Sequence, residues 1–308
     1  MTARSLALAL LAVALLAAPA GAAGTPTCFG AAARNPAAPC HNPSLDHSAK
    51  PSPAWAPLEL NAPCHPLTFT SFPRVCWFAH RKQGASATVA LLGDSHASSW
   101  RSAVAVLARS QRWHALTIRR SSCPFNEARR TGPAKESATC SKWVRAVVRW
   151  FGKHAEIHTV LVTGSAFSDV VVPAGADEHQ IEVDGYREAL ASLPPSVTRV
   201  VVIRDTPRSS TGTFDCVSRA LKAHQDLTGA CALARGDVLP PDPGVEAAQQ
   251  LGAPRFGVID LSDFFCDPDR CFPVIGGALV YKDISHMTTV FGTSLGPYLT
   301  DAYLSLSS

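Results

Sequence analysis

The sequence predicts an α/β fold built on a doubly wound, mainly parallel five-stranded sheet with helices on both faces, and three observations predict it. Beyond Gly84, short apolar runs alternate with helix-length stretches. The runs are apolar at consecutive positions, as strands covered on both faces must be. Roughly 285 residues follow an N-terminal leader, enough for one large domain and a small appendage.

Taken in order, the chain opens with "MTARSLALALLAVALLAAPAGAAG": one basic residue, Arg4, then an apolar run, then small residues near Ala20 to Ala23. This pattern predicts a secretory signal peptide over 1–23 and an exported, cell-envelope-associated or secreted protein. Its apolar core is short for a membrane span, and no later stretch qualifies. Residues 24–84 are rich in Pro and Ala, carry four cysteines and lack a sustained hydrophobic period, so they read as a loop-rich segment docked on the main domain at 85–308. Within that domain "TVALL" (88–92), "HALTI" (114–118), "TVLVT" (159–163), "RVVVI" (199–203) and "FGVID" (256–260) read as buried parallel strands. Helices are expected at 97–109, at 141–151 with Trp143, Val147, Trp150 and Phe151 on one face, at 185–193, less regularly across 215–252, and at 288–304.

Composition narrows the function. The formal charge of +4 falls to +3 without Arg4 and is spread without a dense Lys/Arg block, so nucleic acid is not an implied partner. Ten cysteines in an exported chain point to disulfides, and they fall in sequential couples: Cys28/Cys40, Cys64/Cys76, Cys123/Cys140, Cys216/Cys231 and Cys266/Cys271. No C-x-x-C, H-E-x-x-H, Walker loop or G-x-G-x-x-G occurs, so neither a metal site nor a nucleotide cofactor is expected.

The chemistry concentrates in two motifs. "GDSH" at 93–96 closes the first apolar strand, where Gly93 permits a sharp turn and Ser95 is left near the amino end of a helix. The plain alternative is that Asp94 or Ser95 only caps that helix. A serine nucleophile needs a base. His96, adjacent in sequence, points away from Ser95 and reads as a local polar or substrate-facing residue. In "YKDISHMTTVFG" Asp283 and His286 lie three apart, close enough for the carboxylate to hold Nδ1 and aim Nε2 at Ser95.

With GDSH at 93–96, D-x-x-H at 283–286, "ATVALLGDSHASSW", "SSCPF" and "CFPVIGGALVYKDISHMTTVFG", the chain resembles the SGNH, or GDSL-like, hydrolase superfamily. The resemblance is nearest to the SGNH domains carried by acyltransferase family 3 proteins and covers most of residues 76–304. It implies a three-layer α/β/α fold with Ser95 as nucleophile, His286 as general base and Asp283 as its orienting carboxylate. It implies oxyanion donors from Ser95, from Ser122 and, in place of the family's Gly-x-Asn, from Gly164 or Ser165 in "VTGSAFSD". The activity implied is serine esterase or O-acyltransferase action on O-acyl groups, chiefly O-acetyl, of cell-envelope glycans, without a cofactor. An acylated glycan or other ester is then the substrate, and a separate membrane acyl-donor protein the partner. Trp77, Trp100 and Trp113 are candidates for stacking on sugar rings, although large aromatics more often build core. The reading from a different class is an inactive carbohydrate-binding or interaction module on the same fold.

Overall fold

The computed structural model describes residues 24–67 and 72–306, so the expected signal peptide at 1–23 lies outside the described residues. In chain order the elements begin with β1 (His65–Pro66), β2 (Val75–Trp77), β3 (Ala87–Gly93), α1 (His96–Ser110), β4 (Trp113–Arg119), α2 (Ala134–Phe151) and β5 (Ile157–Thr163). There follow α3 (Glu178–Ala191), β6 (Arg199–Ile203), α4 (Thr213–Lys222), β7 (Leu233–Ala234), α5 (Arg235–Val238), α6 (Pro243–Leu251) and β8 (Phe256–Ile259). Two short antiparallel pairs use β9 (Arg270–Cys271) with β7 and β10 (Val274–Ile275) with β11 (Ala278–Leu279), and α7 (Thr289–Ser305) closes the chain.

The main sheet runs β1-β2-β4-β3-β5-β6-β8. β4, β3, β5, β6 and β8 are mutually parallel and correspond to the five expected strands, while β2 pairs antiparallel to β4 and β1 antiparallel to β2. The sheet therefore has seven strands among the described residues, not five. The two extra ones come from the Pro- and Cys-rich stretch, and at two and three residues they are too short to give a hydrophobic period. Pro66 sits on the edge strand, where a missing N–H is tolerated.

Two buried faces account for the apolar runs. In β3, Val89 and Leu91 face a core shared with Trp100 and Leu107 of α1 and Phe291 and Leu295 of α7. Ala90 and Leu92 face the opposite core, with Trp143 and Val147 of α2, Val183 and Ala189 of α3, and Ala247 of α6. The result is three layers, with α1 and α7 on one side and α2, α3 and α6 on the other. Trp100 belongs to the core at 1% exposure, which removes it as a sugar platform. Trp113 is half-buried edge-on against Tyr303, and Trp77 packs between His65 and His114.

Helix starts differ from expectation where the first turns are polar. α2 begins at Ala134, not 141, because "AKESATC" offers little apolar period while still forming exposed helical turns. α3 begins at Glu178, with the Asp177 side chain accepting from Gln180 N. The irregular 215–252 stretch resolves into α4, α5 and α6, and Asp242 caps α6 by accepting from Gly244 N and Val245 N.

Disulfides join Cys28 to Cys40, Cys64 to Cys76, Cys123 to Cys140, Cys216 to Cys231 and Cys266 to Cys271. No helix among the described residues is long and apolar enough to cross a membrane.

Candidate active site

The parallel strands deliver polar residues to one rim at their carboxyl ends, and β3 lies where the strand order reverses, with β4 on one side and β5 on the other. β3 stops at Gly93. A Cβ there would run into the carbonyl oxygen of Thr163 on β5, so only glycine allows the two strands to stay paired up to the turn. Asp94 then organises the corner: Oδ1 accepts from His96 N at 2.8 Å and Oδ2 from Ser165 N at 3.0 Å. The carboxylate thus performs the capping, and Ser95, which precedes α1, makes no cap bond with its side chain and stays partly exposed.

Asp283 and His286 sit in the tight turn before α7. The Asp283 carboxylate accepts from the backbone of Ser285 at 2.9 Å and His286 at 2.7 Å, and Oδ2 lies 2.8 Å from His286 Nδ1. Burial pushes the Asp283 carboxyl up, but the His286 ring and the two backbone N–H groups outweigh it and hold it at about 2. The turn is fixed from outside. Ser209 donates through Oγ to Asp283 O and through N to Ile284 O, and Lys282 N donates to His286 O. Thr288 caps α7 by accepting from Phe291 N and donates to Leu279 O. With Nδ1 so held, His286 Nε2 is enclosed and has no hydrogen-bond partner among the described residues; no bond joins it to Ser95 Oγ.

Beside this pair stands a second one that the sequence reading missed. His96, 3% exposed, places Nδ1 2.5 Å from Asp205 Oδ1. Asp205 follows β6 and is itself held by the backbone N–H groups of Ala166 and Thr206, while its own N–H donates to Asp242 at 2.8 Å. Burial alone would lower the His96 pKa, but the charge and hydrogen bond of Asp205, helped by Asp94 and Asp283, raise it to about 9. His96 is therefore an imidazolium near neutrality, buried and not solvent-facing. The His96 and His286 rings lie 4.9 Å apart. A signal for Asp205 was present in the sequence: it is the acidic residue just beyond the apolar run 199–203, at the same rim as Ser95.

The expected oxyanion positions separate. Ser122 is exposed in the turn after β4 with φ 58°, and neither its N–H nor that of Ser95 has an acceptor among the described residues. Gly164 lies close under Tyr186, whose Oη would be 2.7 Å from a Cβ there. Ser165 is corrected: its N–H is committed to Asp94 and is not free to meet a substrate oxygen.

Comparison with known proteins places the chain. A family model described as SGNH domain (fused to AT3 domains) matches residues 63–301. No curated protein matches the sequence. Among solved structures, the periplasmic domain of a lipopolysaccharide acetyltransferase from Salmonella ser. Paratyphi A is similar at 13% identity and TM-score 0.52, covering 72% of this chain and 85% of that one. A family two carbohydrate esterase from Clostridium thermocellum is similar at 12% identity and TM-score 0.40, covering 74% and 67%. A putative acylhydrolase from Bacteroides fragilis is similar at 10% identity and TM-score 0.36, covering 74% and 91%. With the model spanning most of its length, the chain belongs to the family of SGNH domains found fused to AT3 domains.

Proposed function

We propose that the protein is an extracytoplasmic serine esterase or O-acyltransferase that moves O-acyl groups, acetyl first among them, on cell-envelope glycans through an acyl-enzyme on Ser95. The observation that carries this reading is the Asp283–His286 pair at 2.8 Å, with an unpartnered Nε2 whose ring packs against the residue following Ser95.

In the proposed sequence His286 Nε2 takes the Ser95 proton as Oγ attacks the ester carbonyl, and Asp283 stabilises the imidazolium that forms. His96 is unsuited to this duty because Asp205 keeps it protonated. The tetrahedral oxygen meets the free N–H groups of Ser95 and Ser122, with Gly164 as the third candidate donor. Collapse expels the alcohol, protonated by His286, and leaves acyl-Ser95. Water or a sugar hydroxyl, deprotonated by His286, then releases the acyl group and completes hydrolysis or transfer. The acetyl choice is supported by the likeness in fold to the Salmonella lipopolysaccharide acetyltransferase domain, and a membrane acyl-donor protein is the partner a transferase requires.

Hydrolysis of p-nitrophenyl acetate tests the reading. Wild type should release nitrophenol, while Ser95→Ala and His286→Ala should each lower kcat by about 10³-fold or more. Equal rates in all three would dismiss it. Acylated chito-oligosaccharide found by mass spectrometry would mark a transferase.

A further inference from the structure

A cleft of about 990 Å³ opens beside the Ser95 corner, between the N-terminal segment, α1 and the end of β4. It is bordered by four arginines, Arg74, Arg101, Arg119 and Arg120. None of them forms an ion pair among the described residues. Arg101 is the most telling. It is 6% exposed, yet among the described residues the only hydrogen bond of its side chain runs from Nε to the carbonyl of Ala62 at 2.8 Å. Burial, with the like charge of Arg119 nearby, lowers its pKa to about 10. A guanidinium taken out of water without a counter-charge is costly, and one carbonyl does not offset that cost.

The same wall holds further donors: Arg120 Nε, Thr117 Oγ1 and Trp143 Nε1 are all buried and have no acceptor among the described residues. At the mouth Leu60 and Phe72 are exposed, an apolar face suited to the C–H side of a pyranose ring. The cleft adjoins the site through the backbone. Arg120 N donates to Gly93 O, two residues before Ser95, and Arg120 itself stands two residues before Ser122. On the other flank Lys282, the residue before Asp283, donates to Asn61 on the cleft wall at 2.6 Å.

We propose that this cleft is an anion-binding subsite that takes the carboxylate or phosphate groups of an acidic glycan and so selects a polyanionic chain as the molecule bearing or receiving the acyl group. The binding itself does not depend on turnover; only the link to acyl transfer rests on the function proposed above. Planar guanidinium groups suit both oxyanions, which they hold through paired N–H donors.

The test reads binding on the Ser95→Ala protein, so a failure of the catalytic reading leaves it intact. Titration calorimetry would use oligogalacturonate as the carboxylate probe, a short glycerol-phosphate oligomer as the phosphate probe and chito-oligosaccharide as the neutral control. One or both anionic oligomers should bind more tightly than the neutral one, with affinity falling as salt rises, and the tighter of the two identifies the anion. Arg74→Ala with Arg119→Ala, both at exposed positions that the fold tolerates, should weaken that binding about tenfold or more. Arg101→Gln should weaken it further, and if that variant fails to fold, the exposed pair alone decides. Binding of neither anionic oligomer, equal binding of the neutral one, an undiminished affinity in the double variant, or uptake by phosphatidylglycerol vesicles without oligomer binding would each overturn the proposal.

Discussion

The imidazoles of His96 and His286 stand 4.9 Å apart at 49° to one another, and each is held through Nδ1 by its own carboxylate, Asp205 in one case and Asp283 in the other. The two pairs differ in burial and therefore in chemistry. The inner one is sealed, an imidazolium matched by its own carboxylate; the outer one is partly exposed and keeps a nitrogen that has no hydrogen-bond partner among the described residues.

The inner pair makes the stability of the fold depend on pH. His96 is raised to about 9 in the folded chain from an ordinary 6.5, so its contribution is fully present below pH 6.5 and is lost as pH rises through about 9. The difference amounts to roughly 3 kcal/mol. Urea unfolding of wild type and His96→Gln at pH 6, 7.5 and 9.5 should show the gap between them narrowing as pH rises. A gap that stays constant would mean His96 is neutral throughout.

Asp283 has the opposite sign. Its folded pKa is depressed to about 2, so its stabilising bonds are present above pH 3.8 and fail only as pH falls through about 2. It therefore stays ionised across any working range. Asp283→Asn keeps the shape of the turn while removing that charge, and ester hydrolysis should fall by about 10²–10⁴ in kcat, more than in KM. Wild-type kcat in this variant would show that the carboxylate only shapes the loop.

Packing of α7 on α1 positions the outer pair. A Cβ at Gly296 would collide with Val106 of α1, and one at Gly292 with Ser102. Gly296→Ala should cost about 1–3 kcal/mol in urea unfolding. Because α1 follows Ser95 and α7 follows the His286 turn, activity in folded Gly296→Ala should drop too. Unchanged stability would indicate that the helices part freely.

Much of this arrangement was legible in the chain. The five parallel strands announced themselves because β3, β4, β5, β6 and β8 are covered on both faces and so are apolar at consecutive positions. Asp283 and His286 were legible as a local pair because three residues of sequence suffice to bring them together. The early turns of α2 and α3 were hidden by polar, exposed residues, and β1 and β2 by their brevity. His96 with Asp205 was hidden for another reason: 109 residues separate them, and their contact follows from the strand order, in which β6 lies two places from β3. The expected donor at Ser165 failed because the sequence does not reveal that the Asp94 carboxylate reaches across to take that N–H.

Labelling with a fluorophosphonate ester followed by peptide mass mapping bears most directly on the central claim. The proposal predicts a single phosphonyl adduct on the peptide containing Ser95, abolished in Ser95→Ala and much slowed in His286→Ala. An adduct on another serine, or none while ester hydrolysis proceeds undiminished, would contradict it.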